Sequence, residues 1–198
     1  MAQPGDRIRE PSGVELTFVE TAEQTGGKLV IEWTLPPGRR LVARAHRHPD
    51  GPEGWAVLSG DARHEIAGVE HEATAGDSWE VPGNTSHVHP WNVGSGPLTV
   101  RQTIDAPDVD GLALGVERYF ETLMALAQRG QTDEKFDIRS PLQSALTIRE
   151  LLMPGSYLVG IPTWIQDAIF APAAALARAR GLKAHIEPAR EQRLEPRR

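Results

Sequence analysis

The chain has 198 residues with a formal net charge of -6, 39% hydrophobic and 24% charged residues, and no cysteine. That size and balance fit one soluble globular unit with its own core. The missing cysteines exclude a disulfide scaffold, a thiolate metal site and a cysteine nucleophile. The acidic balance, with no basic stripe to offset it, excludes a nucleic-acid binder.

The opening MAQPGDRIREPSG has no apolar stretch of signal type, which predicts a cytoplasmic protein with an N-terminal arm over residues 1–13. From Val14 to Asp105 short apolar runs alternate with turn signals. The runs are VELTFV from Val14, KLVIEWTL from Lys28, LVARAHRH from Leu41, WAVLSG from Trp55, ARHEI from Ala62, DSWEV from Asp77 and LTVRQTI from Leu98. Strands at this spacing predict an all-β sandwich or barrel over residues 14–106.

After Pro107 the period becomes helical. Val116, Tyr119, Phe120, Leu123, Met124 and Ala127 mark a first helix, with Gly130 as its stop. A second runs from Pro141 to about Leu152, and an alanine-rich third from about Pro162 to Arg180, ahead of Gly181. These helices, within residues 107–182, are expected to cover one side of the barrel or to form a homodimer surface. The stretch 151–177 carries one charge, Asp167, but Pro154, Gly155, Gly160, Pro162 and Pro172 break it, which predicts packed helices and no membrane span. The charged, apolar-poor residues 183–198 read as a disordered tail.

Six of the seven histidines (His46, His48, His64, His71, His87 and His89) fall between positions 46 and 89. Packing gives no reason for such clustering. In His46-Arg47-His48 the two imidazoles share one face of a strand. The turn Pro49-Asp50-Gly51-Pro52 then brings Glu53 onto a neighbouring element, and His87 follows Gly76 and Pro82 where another strand can return. Three imidazoles and a carboxylate suit a divalent first-row metal with coordination positions left open.

At these residues the sequence resembles the cupin superfamily. Its first motif is HxH, four residues, E, six residues and G, which His46, His48, Glu53 and Gly60 match; Gly38 stands slightly further upstream than the pattern places it. The second, G-x5-P-x-G-x2-H-x3-N, is met by Gly76, Pro82 and His87. Asn84 replaces the middle glycine, a position that asparagine tolerates in the left-handed conformation. The last asparagine is one residue late, at Asn92 behind Trp91. A one-residue bulge near Pro90 explains the offset and leaves open whether His87 or His89 is the fourth ligand, with His87 favoured. The resemblance implies a cupin-type double-stranded β-helix, a jelly-roll barrel followed by C-terminal α-helices. It also implies one divalent transition metal on His46, His48, Glu53 and His87, and a small-molecule site inside the barrel.

Strand parity adds neighbours. Arg44 shares the face of His46 and His48, either to bind a substrate oxygen or as a rim residue paired to a surface acid. Trp55, in phase with Glu53 and Val57, is expected as a pocket wall or as core. His64 faces the interior and, with His89, is the candidate proton carrier, though a hydrogen-bonded core residue is the commoner fate of a buried histidine. His71 lies on a polar hairpin strand and is expected in solvent. No Walker A loop, GxGxxG, GxSxG, HExxH or EF-hand pattern occurs.

Three functions compete. A metal-dependent oxygenase or dioxygenase is placed first, with Fe(II) favoured and Mn, Ni or Zn as alternatives. A non-redox isomerase, cyclase or lyase acting through an enolate is second, and a small-ligand binding or sensor protein third. The apolar helices point to a hydrophobic substrate.

Overall fold

The computed structural model of the chain describes residues 2–41, 44–49, 51–106, 111–153 and 155–191. Asp50, Pro107, Pro154 and residues 192–198, which enter the sequence reading, lie outside them. The fold is mainly β, with two antiparallel sheets and C-terminal helices. The strands are β1 (Arg7–Arg9), β2 (Glu15–Glu20), β3 (Lys28–Leu35), β4 (His46–Arg47), β5 (Glu53–Ser59), β6 (Asp61–Ile66), β7 (Val69–Thr74), β8 (Ser78–Val81), β9 (His87–Asn92), β10 (Leu98–Asp105) and β11 (Tyr157–Leu158). One sheet runs β1-β2-β3-β10-β5-β8 and the other β11-β4-β9-β6-β7.

The expected runs reappear as strands because their apolar side chains alternate about the backbone. In β10, Leu98, Val100, Gln102 and Ile104 are buried while Arg101 and Asp105 are exposed. The run from Leu41 is the exception. Its strand is reduced to His46–Arg47, and Arg44 sits in a bend before it. The arm at 1–13 is not free of structure: β1 pairs with β2 through Arg7–Thr17 and Arg9–Glu15.

Chain reversals follow the motif residues. Gly60, between β5 and β6, has φ 88, and a methyl carbon there would stand 2.7 Å from Pro97 O and 2.9 Å from Leu98 Cα. Only glycine lets these backbones approach. Gly60→Ala is expected to cost about 1–3 kcal/mol, read as a lower urea midpoint at unchanged slope; an unmoved midpoint would mean the turn relaxes freely. Asn84 has φ 62, the left-handed backbone anticipated for it, and its Oδ1 accepts from Arg47 Nη1 at 2.7 Å.

Beyond the barrel, a single turn α1 (Ala22–Thr25) lies between β2 and β3, and the larger helices are α2 (Leu112–Gln128), α3 (Pro141–Thr147) and α4 (Thr163–Ala179). Pro141 begins α3 behind Ser140, whose hydroxyl accepts from Gln143 N. A π-helical turn, Ile148–Leu152, continues it to the end expected for the second helix. No helix among the described residues is long and apolar enough to cross a membrane.

The core fills the space between the sheets and beneath α2. Trp33, fully buried on β3, meets Phe120 of α2 edge-on with ring centroids 4.9 Å apart. A smaller cluster of Leu146, Ala174 and Ala177 joins α3 to α4. Residues 183–191 correct the expectation of disorder. They run along α2, where His185 Nε2 lies 2.8 Å from Glu121 Oε2, Arg190 pairs with the same buried carboxylate, and Glu191 bridges to Arg7. A buried acid holds the segment through His185 and Arg190, which composition alone does not reveal.

Candidate metal centre

The two sheets bring the motif residues together from opposite sides. His46 on β4 lies directly across from His87 on β9, and the turn after His48 carries the chain to the other sheet, where Glu53 opens β5. Glu53 is 1% exposed. Its Oε2 is 2.7 Å from His87 Nε2 and 3.4 Å from His48 Nε2, and its Oε1 is 3.4 Å from His89 Nε2. The His46 ring is 4.3 Å from that of His87, 4.9 Å from His89 and 5.2 Å from His48. Four imidazoles therefore surround one carboxylate. Single donor atoms of His46, Glu53, His87 and His89 all lie within 4.8 Å of one another.

The backbone sets the ring orientation. His46 Nδ1 is 3.1 Å from Arg44 O, His48 Nδ1 3.1 Å from Gly155 O, and His87 Nδ1 3.0 Å from Thr85 O. A carbonyl oxygen only accepts, so each Nδ1 carries a hydrogen, and in His48 and His87 it is Nε2 that turns toward Glu53. That outer support is the usual condition of a metal-ligating histidine. His89 differs: both ring nitrogens are buried without a hydrogen bond. Buried unpaired nitrogens beside an acid are costly unless something binds them. This donor set fits a divalent metal.

The bulge expected near Pro90 is present. Opposite β6, the pairing passes from Arg63–Trp91 to Glu65–Val88, so His89 and Pro90 face the single residue His64. The bulge begins at His89, and His87 and His89 are both buried beside Glu53. Asn92 beyond it is buried, donating to Leu35 O and Gly96 O and accepting from Gly94 N, which holds the turn into β10.

Charge follows from this packing. Burial, reinforced by the other imidazoles, holds His46 well below the ordinary histidine range. Burial, against the opposing pull of Glu53, pushes His89 down to about 4. Burial alone would raise Glu53, yet His89, His48 and His87 outweigh it and hold the carboxylate well below its usual value. For His87 burial is overcome by the hydrogen bond and charge of Glu53, and its value rises. In the metal-free protein, the His87 contribution to stability is complete below 6.5 and fades as pH rises through its raised folded value. The Glu53 contribution is complete above 4.5 and is lost as pH falls through its lowered folded value. A metal must displace the His87 proton, so metal affinity is expected to fall about tenfold per pH unit on acidification, one proton being released per ion. Calorimetric titration at about pH 7.5 and pH 5.5 in two buffers of different ionisation heat checks this; a pH-independent affinity without proton release would contradict it.

One residue outside the sequence reading completes the floor. Gln102 Nε2 donates to Glu53 Oε1, and Gln102 Oε1 accepts from Trp33 Nε1 at 3.0 Å. A glutamine in phase with Val100 and Ile104 is a polar residue at an apolar position, and that was its signal in the sequence.

Above the floor opens a cavity of ≈ 210 Å³ that reaches His46, His48 and His89. Its roof is helical: Val116, Tyr119 and Phe120 of α2, Ile148 and Leu152 of the π-helical turn, and Phe170 of α4. The C-terminal helices thus cover the site. Phe136, in the loop between α2 and α3, also lines it and takes a left-handed backbone at φ 63, an uncommon conformation for a bulky residue. Burial pushes the Tyr119 hydroxyl up to about 12, so it stays a neutral phenol.

Three expected neighbours take no part in the floor of the cavity. Arg44 stands on the cavity rim with its side chain 65% exposed, and its guanidinium grips Asp137. The rim-pair alternative is the one found. Trp55 is not on the cavity wall. It packs behind His89 at 4.9 Å and against Trp79 at 6.4 Å, because its strand neighbours fill the space between the sheets. His64 is further still, stacked on Trp79 at 3.8 Å and on the exposed His71 at 5.3 Å. It is absent from the cavity lining, and burial together with His71 pushes it down to about 4. The structure does not bring His64 to the cavity.

Residues 31–105 match the family described as "Cupin domain". That stretch, under half of the chain, holds both histidine motifs and strands β4 to β9, and it is the part that carries a cupin domain. Solved structures similar to it include an uncharacterized conserved protein with a double-stranded β-helix domain from Klebsiella pneumoniae (24% identity over 55% of this chain and 84% of that one, TM-score 0.40). Others are a predicted oxalate decarboxylase from Thermotoga maritima (23%, 52% and 92%, TM-score 0.44) and a sugar phosphate isomerase of the cupin superfamily from Silicibacter pomeroyi (20%, 50% and 68%, TM-score 0.41). No curated protein matches the chain.

Proposed function

We propose that the chain is a metal-dependent cupin enzyme of the oxygenase, dioxygenase-like type, acting on a small hydrophobic organic substrate. One divalent metal, Fe(II) by preference, is held by His46, His48, His87 and Glu53. The observation that carries this reading is the convergence of backbone-oriented imidazoles on Glu53 at the floor of a roofed apolar cavity. When bound, the metal supplies a Lewis-acidic, redox-active centre at which substrate and dioxygen react. The protein's share is placement. Gln102 fixes the carboxylate, the carbonyls of Arg44, Gly155 and Thr85 fix three rings, and the apolar roof excludes water and holds the substrate against the floor.

A second reading, a non-redox isomerase or lyase, draws support from His89. Its ring nitrogens carry no hydrogen bond and the residue lines the cavity, where it would move a proton on a polarised substrate. Elemental analysis of protein purified without added metal, followed by oxygen uptake with a panel of phenols and enols, separates the two. Resident iron and substrate-dependent oxygen consumption are expected. Resident zinc with anaerobic turnover would overturn the oxygenase in favour of the second reading, and ligands returned unchanged would leave a binding protein.

A further inference from the structure

Apart from the histidine cluster, the charged residues lining the cavity among the described residues are Arg44 and Asp137. They are spent on each other. Arg44 Nε lies 3.2 and 3.1 Å from the two carboxylate oxygens of Asp137, and Nη2 lies 3.1 Å from Oδ2. The two amides on the wall are engaged as well. Gln102 is held between Trp33 and Glu53, and Gln166 exchanges hydrogen bonds with the backbone of Leu158 and donates to Ile161 O. An incoming anion therefore meets no uncommitted guanidinium or amide on the way to the floor. The forked guanidinium is the group best shaped to take a carboxylate or phosphate, and Asp137 already fills that fork.

We propose that Asp137 is a specificity-determining residue: by occupying Arg44 at the mouth it reserves the cavity for uncharged ring compounds and turns away carboxylates and phosphates. This rests on the reading of the cavity as the substrate site. An apolar cavity of about 150 Å³ takes benzene, so ≈ 210 Å³ suits a substituted or fused neutral ring. Removing the Asp137 charge leaves Arg44 fully cationic, since a guanidinium does not lose its proton. The pair is half in solvent, so its effect is modest, about fivefold in affinity for one charge.

The test uses two probes of matched shape, 1-naphthol and 1-naphthoate, titrated calorimetrically into the full chain after chelator treatment, so that no metal ligates the carboxylate. Wild type is expected to bind the naphthol more tightly than the naphthoate. Asp137→Asn is expected to strengthen naphthoate binding about fivefold and leave naphthol binding within about twofold. Adding Arg44→Gln to that variant is expected to abolish the gain. Naphthoate binding unchanged in Asp137→Asn, a wild-type preference for naphthoate, or no binding of either probe would each overturn the proposal. Metal content and turnover, measured separately on untreated protein, report on the enzymatic reading independently of these titrations.

Discussion

Protein carrying Glu53→Ala is expected to leave purification without metal and to lose at least about 100-fold in metal affinity. Glu53 is the one acid in the cluster, and His87, His48 and His89 all approach its oxygens. Without it, four imidazoles face one another with no negative charge to balance a dication, and His87 loses the partner that raises its proton affinity. Elemental analysis after dialysis against metal buffer, with circular dichroism to confirm folding, reads the result. Glu53→Gln keeps the size and the Gln102 contact and should still lose the metal, which separates the charge from the packing. Full metal stoichiometry in both variants would mean that the ion binds elsewhere.

The second large effect belongs to Trp33. Trp33→Ala is expected to cost about 3–5 kcal/mol and to lower the melting temperature by about 10 °C for a chain of this size. Trp33 is fully buried, packs edge-on against Phe120 and so fastens the barrel to α2. It also supplies the N–H that holds Gln102. Metal affinity in the variant is therefore expected to fall about tenfold even where the fold survives. Trp33→Phe keeps most of the ring but leaves Gln102 Oε1 without its donor, at about 1–3 kcal/mol. Thermal unfolding with and without saturating metal distinguishes the two losses. A Trp33→Phe protein with wild-type metal affinity would remove Trp33 and Gln102 from the support of Glu53.

The histidine–glutamate cluster was legible because the spacing of its first part is local: an i, i+2 pair on a strand and a carboxylate one turn away need no knowledge of distant contacts. The bulge was legible for the same reason, since Asn92 stands one residue late and the pairing accommodates it at His89–Pro90. What parity does not reveal is the residue facing a side chain from the other layer. It turns His64 and Trp55 inward, and both are buried, but His64 stacks on Trp79 of β8 and does not line the cavity. Long-range ion pairs leave no local trace either. Arg44 and Asp137 are 93 residues apart in sequence, and His185 and Arg190 are held by Glu121, which periodicity marks only as one more position on a helix.

The hydrogen bond between His48 and Gly155 ties a donor from the first motif to a segment far outside it. A chain trimmed to its jelly roll would forfeit both the ceiling of the chamber and the fixed heading of one imidazole. On the proposed reading the smallest chelating unit is longer than the signature that announces it, and grafting the motifs onto a bare barrel would transplant the imidazoles without the part that aims one of them.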